Sequence, residues 1–430
     1  MISIKKIIST TAIAVLSISL FAQMKSRSDF LSRSDFLPSS KTSEATQEIF
    51  DTDVDKFMSV TSWSEVKPEK FFGYFGIGST PIFGYTSYDF GFAKQFSKCY
   101  WGTYFSGKLG TVKTEKDESA ETETTTNGQT DFVFSNLFGL GNGVGLGVDF
   151  YYADNGSKKE VIGNSKTDTD KRIWGLAVSA GLNEYTFKKF NLAPYATVTY
   201  IMNTNGGSKV VTDTAVTSTT VDSRQWTLGI EAGADVDLSK SEAVEQTLSL
   251  GAGFGFTKPV DNDVKDTNNT TLALPVSYKV VYHATEKLGL GVLLKADTSM
   301  NFGKGGEDIK SFNFDFTPSV STGVTFDTKK KVILNAGLGF AIPAFTYEKK
   351  TVNSKSNSEA NWNGNDASLD FKSGFNFVPT KNISVDCSWQ ILNHLFGTDT
   401  KSDLNENTDF WYTVNKVLVH NITFAVSVKF

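Results

Sequence analysis

Histidine, cysteine, proline and long apolar runs are all scarce in this 430-residue chain, and each scarcity excludes a class of protein. There are three histidines, and none of His283, His394 and His420 has a Ser or Asp at a spacing that specifies catalysis. An enzyme needs a nucleophile, a base and an orienting group within reach, so none is expected here. Two cysteines, Cys99 and Cys387, cannot carry a disulfide-dense scaffold, and sequence leaves their pairing open. No stretch beyond residue 21 approaches the roughly 18 continuous apolar residues of a membrane helix. The net charge of −5 lacks the clustered basic excess that a nucleic-acid partner demands. The acidic runs Glu115 to Glu123 and Asp261 to Asp266 lack the glycine turn and closing glutamate of a calcium loop, so no metal or cofactor is expected.

What the chain does contain is alternation. In Trp226, Leu228, Ile230, Ala232, Ala234, Val236 and Leu238 every second residue is apolar, while Thr227, Gly229, Glu231, Gly233, Asp235 and Asp237 occupy the opposite parity. Leu248, Leu250, Ala252, Phe254 and Phe256 oppose Ser249, Gly251, Gly253 and Gly255 in the same way, and Ile422 to Phe430 repeats the pattern. A soluble sandwich also alternates, but its polar face would be rich in Lys and Glu rather than Gly, Ser, Thr and Asn. Strands are predicted near 70–78, 82–94, 100–112, 130–138, 144–152, 173–183, 190–202, 224–238, 246–257, 271–283, 288–297, 311–326, 332–344, 366–377, 383–392 and 418–430. Short turns such as 139–143, 239–243, 284–287, 327–331 and 378–382 alternate with long polar segments at 113–129, 153–171, 203–223, 258–269, 348–365 and 393–416. The fold expected is all-β: a transmembrane antiparallel up-and-down barrel of about 16 strands, within 14–18, with long external loops and short periplasmic turns.

The first 68 residues read differently. Lys5 and Lys6 precede an apolar core, Ile7 to Phe21, and Ala22 offers a cleavage site, so residues 1–22 are expected to be a signal peptide. No Cys follows the core, so no lipid anchor is expected. Residues 23–68 form a periplasmic linker or a small plug ahead of a barrel at 69–430. The tandem hexapeptide Ser26 to Leu31 and Ser32 to Leu37 favours a tolerant linker. A short amphipathic helix, capped by Ser43 and running from about Glu44 to Met58, would suit packing in the barrel mouth and equally a loose position outside it.

Together the signal, the meander from about Lys70 and the terminal Phe430 make the chain resemble a Gram-negative or spirochaete-type outer-membrane β-barrel of porin-like size. The resemblance implies an outer-membrane location among its lipids, and assembly by the barrel-assembly machinery, which reads a C-terminal strand ending in an aromatic. Membrane-interface aromatics are expected at Trp101, Tyr152, Trp174, Trp226, Trp389 and Phe430. Charges of lumen parity are Lys108, Asp149, Glu231, Asp235, Lys279, Lys295, Asp315, Asp370, Lys372 and Asp386, joined by Asp237, Asp297 and Lys429. Acids slightly outnumber bases, which leads to an expected passive channel for small hydrophilic solutes with a weak cation preference. Two alternatives stand beside it: a surface-presenting barrel whose external loops bind host or neighbouring-cell molecules, and a transporter of hydrophobic small molecules.

Overall fold

The computed structural model describes residues 56–66 and, between 71 and 429, the strands and tight turns named below. The expected signal peptide, the hexapeptide repeat and Phe430 lie outside the described residues, as does the expected helix up to residue 55.

A single helical turn, α1 (Trp63–Val66), precedes the strands. The chain then runs through β1 (Phe72–Thr80), β2 (Tyr85–Phe96) and β3 (Cys99–Gly110) before a hairpin of β4 (Lys113–Asp117) and β5 (Thr122–Thr126). Next come β6 (Thr130–Gly139) and β7 (Val144–Asp154), the hairpin β8 (Lys158–Ile162) and β9 (Ser165–Thr169), β10 (Lys171–Leu182), the short β11 (Tyr185–Phe187) and β12 (Phe190–Asn205). A third hairpin, β13 (Lys209–Thr212) and β14 (Ala215–Ser218), leads into β15 (Ser223–Lys240), β16 (Val244–Pro259), β17 (Asn268–Thr285), β18 (Leu288–Lys304), β19 (Ile309–Asp327) and β20 (Val332–Ala341). The chain closes with the hairpin β21 (Phe345–Val352) and β22 (Lys355–Trp362), then β23 (Ser368–Thr380), β24 (Ile383–Leu392) and β25 (Asn421–Lys429).

Sixteen of these strands close into an antiparallel barrel, in the order β1-β2-β3-β6-β7-β10-β12-β15-β16-β17-β18-β19-β20-β23-β24-β25, and β25 returns to β1 with Phe72 opposite Lys429. Each stave falls on one of the sixteen predicted spans. Closure leaves no unpaired edge, the only sheet arrangement that hydrocarbon tolerates. Leu228, Ile230, Leu250, Phe254, Val276, Val292, Leu294, Leu334 and Phe375 all point outward and are exposed, whereas Thr227, Thr257, Thr271, Ser299 and Asn301 are turned inward and buried. Thr227 and Thr257 share a 3.0 Å hydroxyl contact, and Thr271 donates to Asn301 Oδ1 at 2.7 Å, so these inward hydroxyls find partners away from the apolar belt.

The tight turns gather at one rim. At 140–143 the Leu140 N–H donates to Val144 O and the Gly143 N–H to Leu140 O, with Gly143 at φ 87°, a conformation that favours glycine. The opposite rim departs from expectation, because four of the segments read as long loops contain strands. Hairpins β4/β5, β8/β9 and β13/β14 pair with one another into a separate six-stranded sheet, order β14-β13-β9-β8-β5-β4, and β21/β22 extends the barrel wall from β19. Thr, Lys and Glu dominate these stretches without an apolar period, so backbone pairing between distant loops, rather than local pattern, makes them strands.

Candidate functional site in the barrel interior

Inside the barrel the strand register aligns inward positions into rows. One row runs Tyr100, Gly139, Gly145, Gly181, Tyr195, Gly233, Gly251 across β3, β6, β7, β10, β12, β15 and β16. A second runs Tyr74, Gly91, Tyr104, Ser135, Asp149. Glycine at an inward position leaves room for another chain to approach the wall.

Residues 57–63 occupy that room. A β-carbon at Gly139 would meet the Trp63 ring at 2.6 Å, and one at Gly181 would meet Thr61 and Val60 at 2.9 Å. Gly145 lies directly under the Val60 carbonyl, and Gly91 under the Phe57 ring. At Gly102 the nearest neighbour is the Met58 sulfur. Phe57 is fully buried, with its ring centroid 5.1 Å from Phe72, 6.1 Å from Tyr104 and 6.4 Å from Tyr74. The Tyr100 hydroxyl donates to the Phe57 carbonyl at 2.7 Å, and its ring lies 5.3 Å from Trp63. Phe57, Met58, Val60, Trp63 and Val66 thus form one buried cluster with Phe72, Tyr74, Ala93, Tyr100, Tyr104, Val133 and Leu137 of the wall. Residues 57–66 therefore pack against the inner face of the barrel wall. The sequence signal for these positions is the recurrence of glycine at inward parity near the tight-turn ends of successive staves.

Past Tyr195 the interior changes character. Tyr195 covers Gly233 and donates to Glu231 Oε1 at 3.1 Å. Beyond it, inward positions of β15 to β19 carry Glu231, Asp235, Asp237, Lys279, Lys295, Asp297 and Asp315, all half-buried. Thr247 donates to Asp237 at 3.3 Å and Ser299 to Asp315 at 3.3 Å. These charges are spread along staves rather than gathered at one point. Asp149 belongs instead to the row of Tyr104 and Ser135 and is fully buried. Lys108, Asp370, Lys372 and Asp386 lie on β3, β23 and β24, and their side chains, like that of Lys429, are outside the described residues. Both cysteines are free. Among the described residues no group of three His, Cys, Asp or Glu could hold a metal ion.

The aromatics named from sequence stand near both rims. Trp101, 6.0 Å from Phe92 edge-on, lies by the tight turn between β2 and β3. Tyr152 stacks on Phe132 at 5.2 Å, and Trp174 with Tyr200 and Trp226 with Phe256, at 5.5 and 5.6 Å, continue that band at the opposite rim. The Trp389 side chain is outside the described residues.

The chain matches no protein-family model and no curated protein sequence. Solved structures similar to it include CdiB from Escherichia coli (11% identity, TM-score 0.44, covering 84% of this chain and 63% of that one). Others are a bacterial polysaccharide outer membrane secretin (8% identity, TM-score 0.39, 84% and 98%) and the copper transporter OprC (9%, 0.38, 85% and 81%). The chain spans about three fifths of the length of the CdiB structures. At these identities the likeness concerns the fold alone.

Proposed function

We propose that this protein resides in an outer membrane and acts as a passive, non-catalytic channel for small hydrophilic solutes with a weak preference for cations. The observation that carries the proposal is the closed sixteen-stave wall, apolar outside and lined by Glu231, Asp235, Lys279, Lys295, Asp297 and Asp315 inside. About 9–11 tilted residues cross a bilayer, and even β1, with 9, meets that length. Sixteen strands are enough for an aqueous lumen in barrels of this kind. The mixed inner charges, acids in excess, favour cations weakly. The test is single-channel recording of refolded protein in planar bilayers under a potassium chloride gradient. Discrete conductance steps with a reversal potential on the cation side are expected, and absence of steps removes the channel.

A second reading is supported by the six-stranded sheet that the long connections build at one rim. Ordered loops of this kind suit a surface-presenting barrel that binds host or neighbouring-cell molecules. Its test is adhesion of cells displaying the full chain against cells displaying the chain without β8 and β9.

A further inference from the structure

The two halves of the interior wall are not equivalent. From β1 to β10 the wall is covered by residues 57–66 through the glycine rows, while from β15 to β19 it presents half-buried charge. We propose that residues 57–66 are a resident part of the pore wall, seated on the tyrosine-bounded glycine rows, and that they confine the solute path to the polar face of β15 to β19. The inference rests on the channel reading above.

Three features support a fixed seat over a transient one. The contact is matched on both sides, since five inward glycines, Gly91, Gly102, Gly139, Gly145 and Gly181, each lie under a particular residue of the segment, and a larger side chain there would collide with it. The seat is closed to solvent: Phe57 and Val66 are fully buried, as is Leu137 of the same cluster. It is also directional, because Tyr100 fixes the Phe57 carbonyl and Tyr195 closes the far end, packing against the same cluster while its hydroxyl turns to Glu231. An apolar segment held against one wall leaves hydrated solutes the other, where charged side chains replace part of their water.

The experiment uses the full chain with Cys99→Ser and Cys387→Ser as background, probed by a charged methanethiosulfonate. Leu137→Cys is expected to resist the reagent in the full chain and to react once residues 26–66 are deleted. Glu231→Cys is expected to react in both, with a drop in conductance each time. The deletion itself is expected to raise conductance severalfold. Where the deletion does not assemble, the double substitution Phe57→Asp and Trp63→Asp breaks the seat at constant length and takes its place. Ready labelling of Leu137→Cys in the full chain overturns the seat and leaves the channel standing. Protection of Leu137→Cys with unchanged conductance on deletion overturns the confinement. No conductance in any form removes the channel and the confinement together, a case recognised by labelling that still reports the seat.

Discussion

Side-chain parity is a statement about single residues and can be tested one residue at a time. Leu228 and Leu250 face outward, so an arginine at either meets hydrocarbon at a cost of about 2–4 kcal/mol near the bilayer midplane. Ser249 faces inward opposite Asp235, where an arginine gains an acidic neighbour. Leu228→Arg and Leu250→Arg are therefore expected to lower the yield of folded barrel, read as heat-modifiable migration on gels, while Ser249→Arg assembles normally. Thr227, also inward, is buried against Thr257, so Thr227→Arg is expected to assemble less well than Ser249→Arg although both share a face. Tyr100→Phe removes the donor to the Phe57 carbonyl and leaves a buried acceptor unpaired, at a cost of about 1–3 kcal/mol. Faster thiol labelling of Leu137→Cys in the Tyr100→Phe chain is the expected readout.

At the scale of elements, the six-stranded sheet depends on its middle. β8 pairs with β5 and β9 with β13, so removing Lys158–Thr169 divides the sheet into two isolated hairpins, which are marginal by themselves in water. The barrel does not share that dependence, because β7 and β10 pair directly from Val144 to Asp154. The deletion is expected to leave heat-modifiable migration intact while cleavage within 113–126 and 209–218 by added protease accelerates. Equal cleavage rates would mean that the hairpins do not support one another.

For the whole molecule, the sorting of connections by rim supplies the orientation. Cysteines at Gly128, Asn205 and Asn357 are expected to label on intact cells, and cysteines at Ser241 and Lys329 only after the envelope is opened. Residues 57–66 lie inside the barrel beside the tight turns, since Gly139, Gly145 and Gly181 border the turn at 140–143. The segment therefore lies at the rim that this orientation makes periplasmic. Labelling at both sets of positions alike would reverse neither rim but remove the orientation altogether.

The staves were legible because their cause is local. An apolar residue at every second position needs no partner to be recognised, and Leu228 or Phe254 declares its face before any pairing is known. Sixteen strands, their rims and the inward parity of Glu231 or Lys295 follow from that period. The seat was only partly legible: the amphipathic stretch ending at Phe57 and Met58 suited packing in the barrel mouth, but nothing in Val60 and Trp63 tells a lumen wall from a loose linker, and Gly145 carries no mark of the carbonyl above it. Only the pairing register of successive staves brings Tyr100, Gly139, Gly145, Gly181 and Tyr195 into one row. The hairpins of the six-stranded sheet are a second case, since polar segments starting at Lys113, Lys158 and Lys209 become strands only when neighbouring staves hold them side by side. Local alternation determined the barrel, and pairing between distant segments decided what fills and covers it.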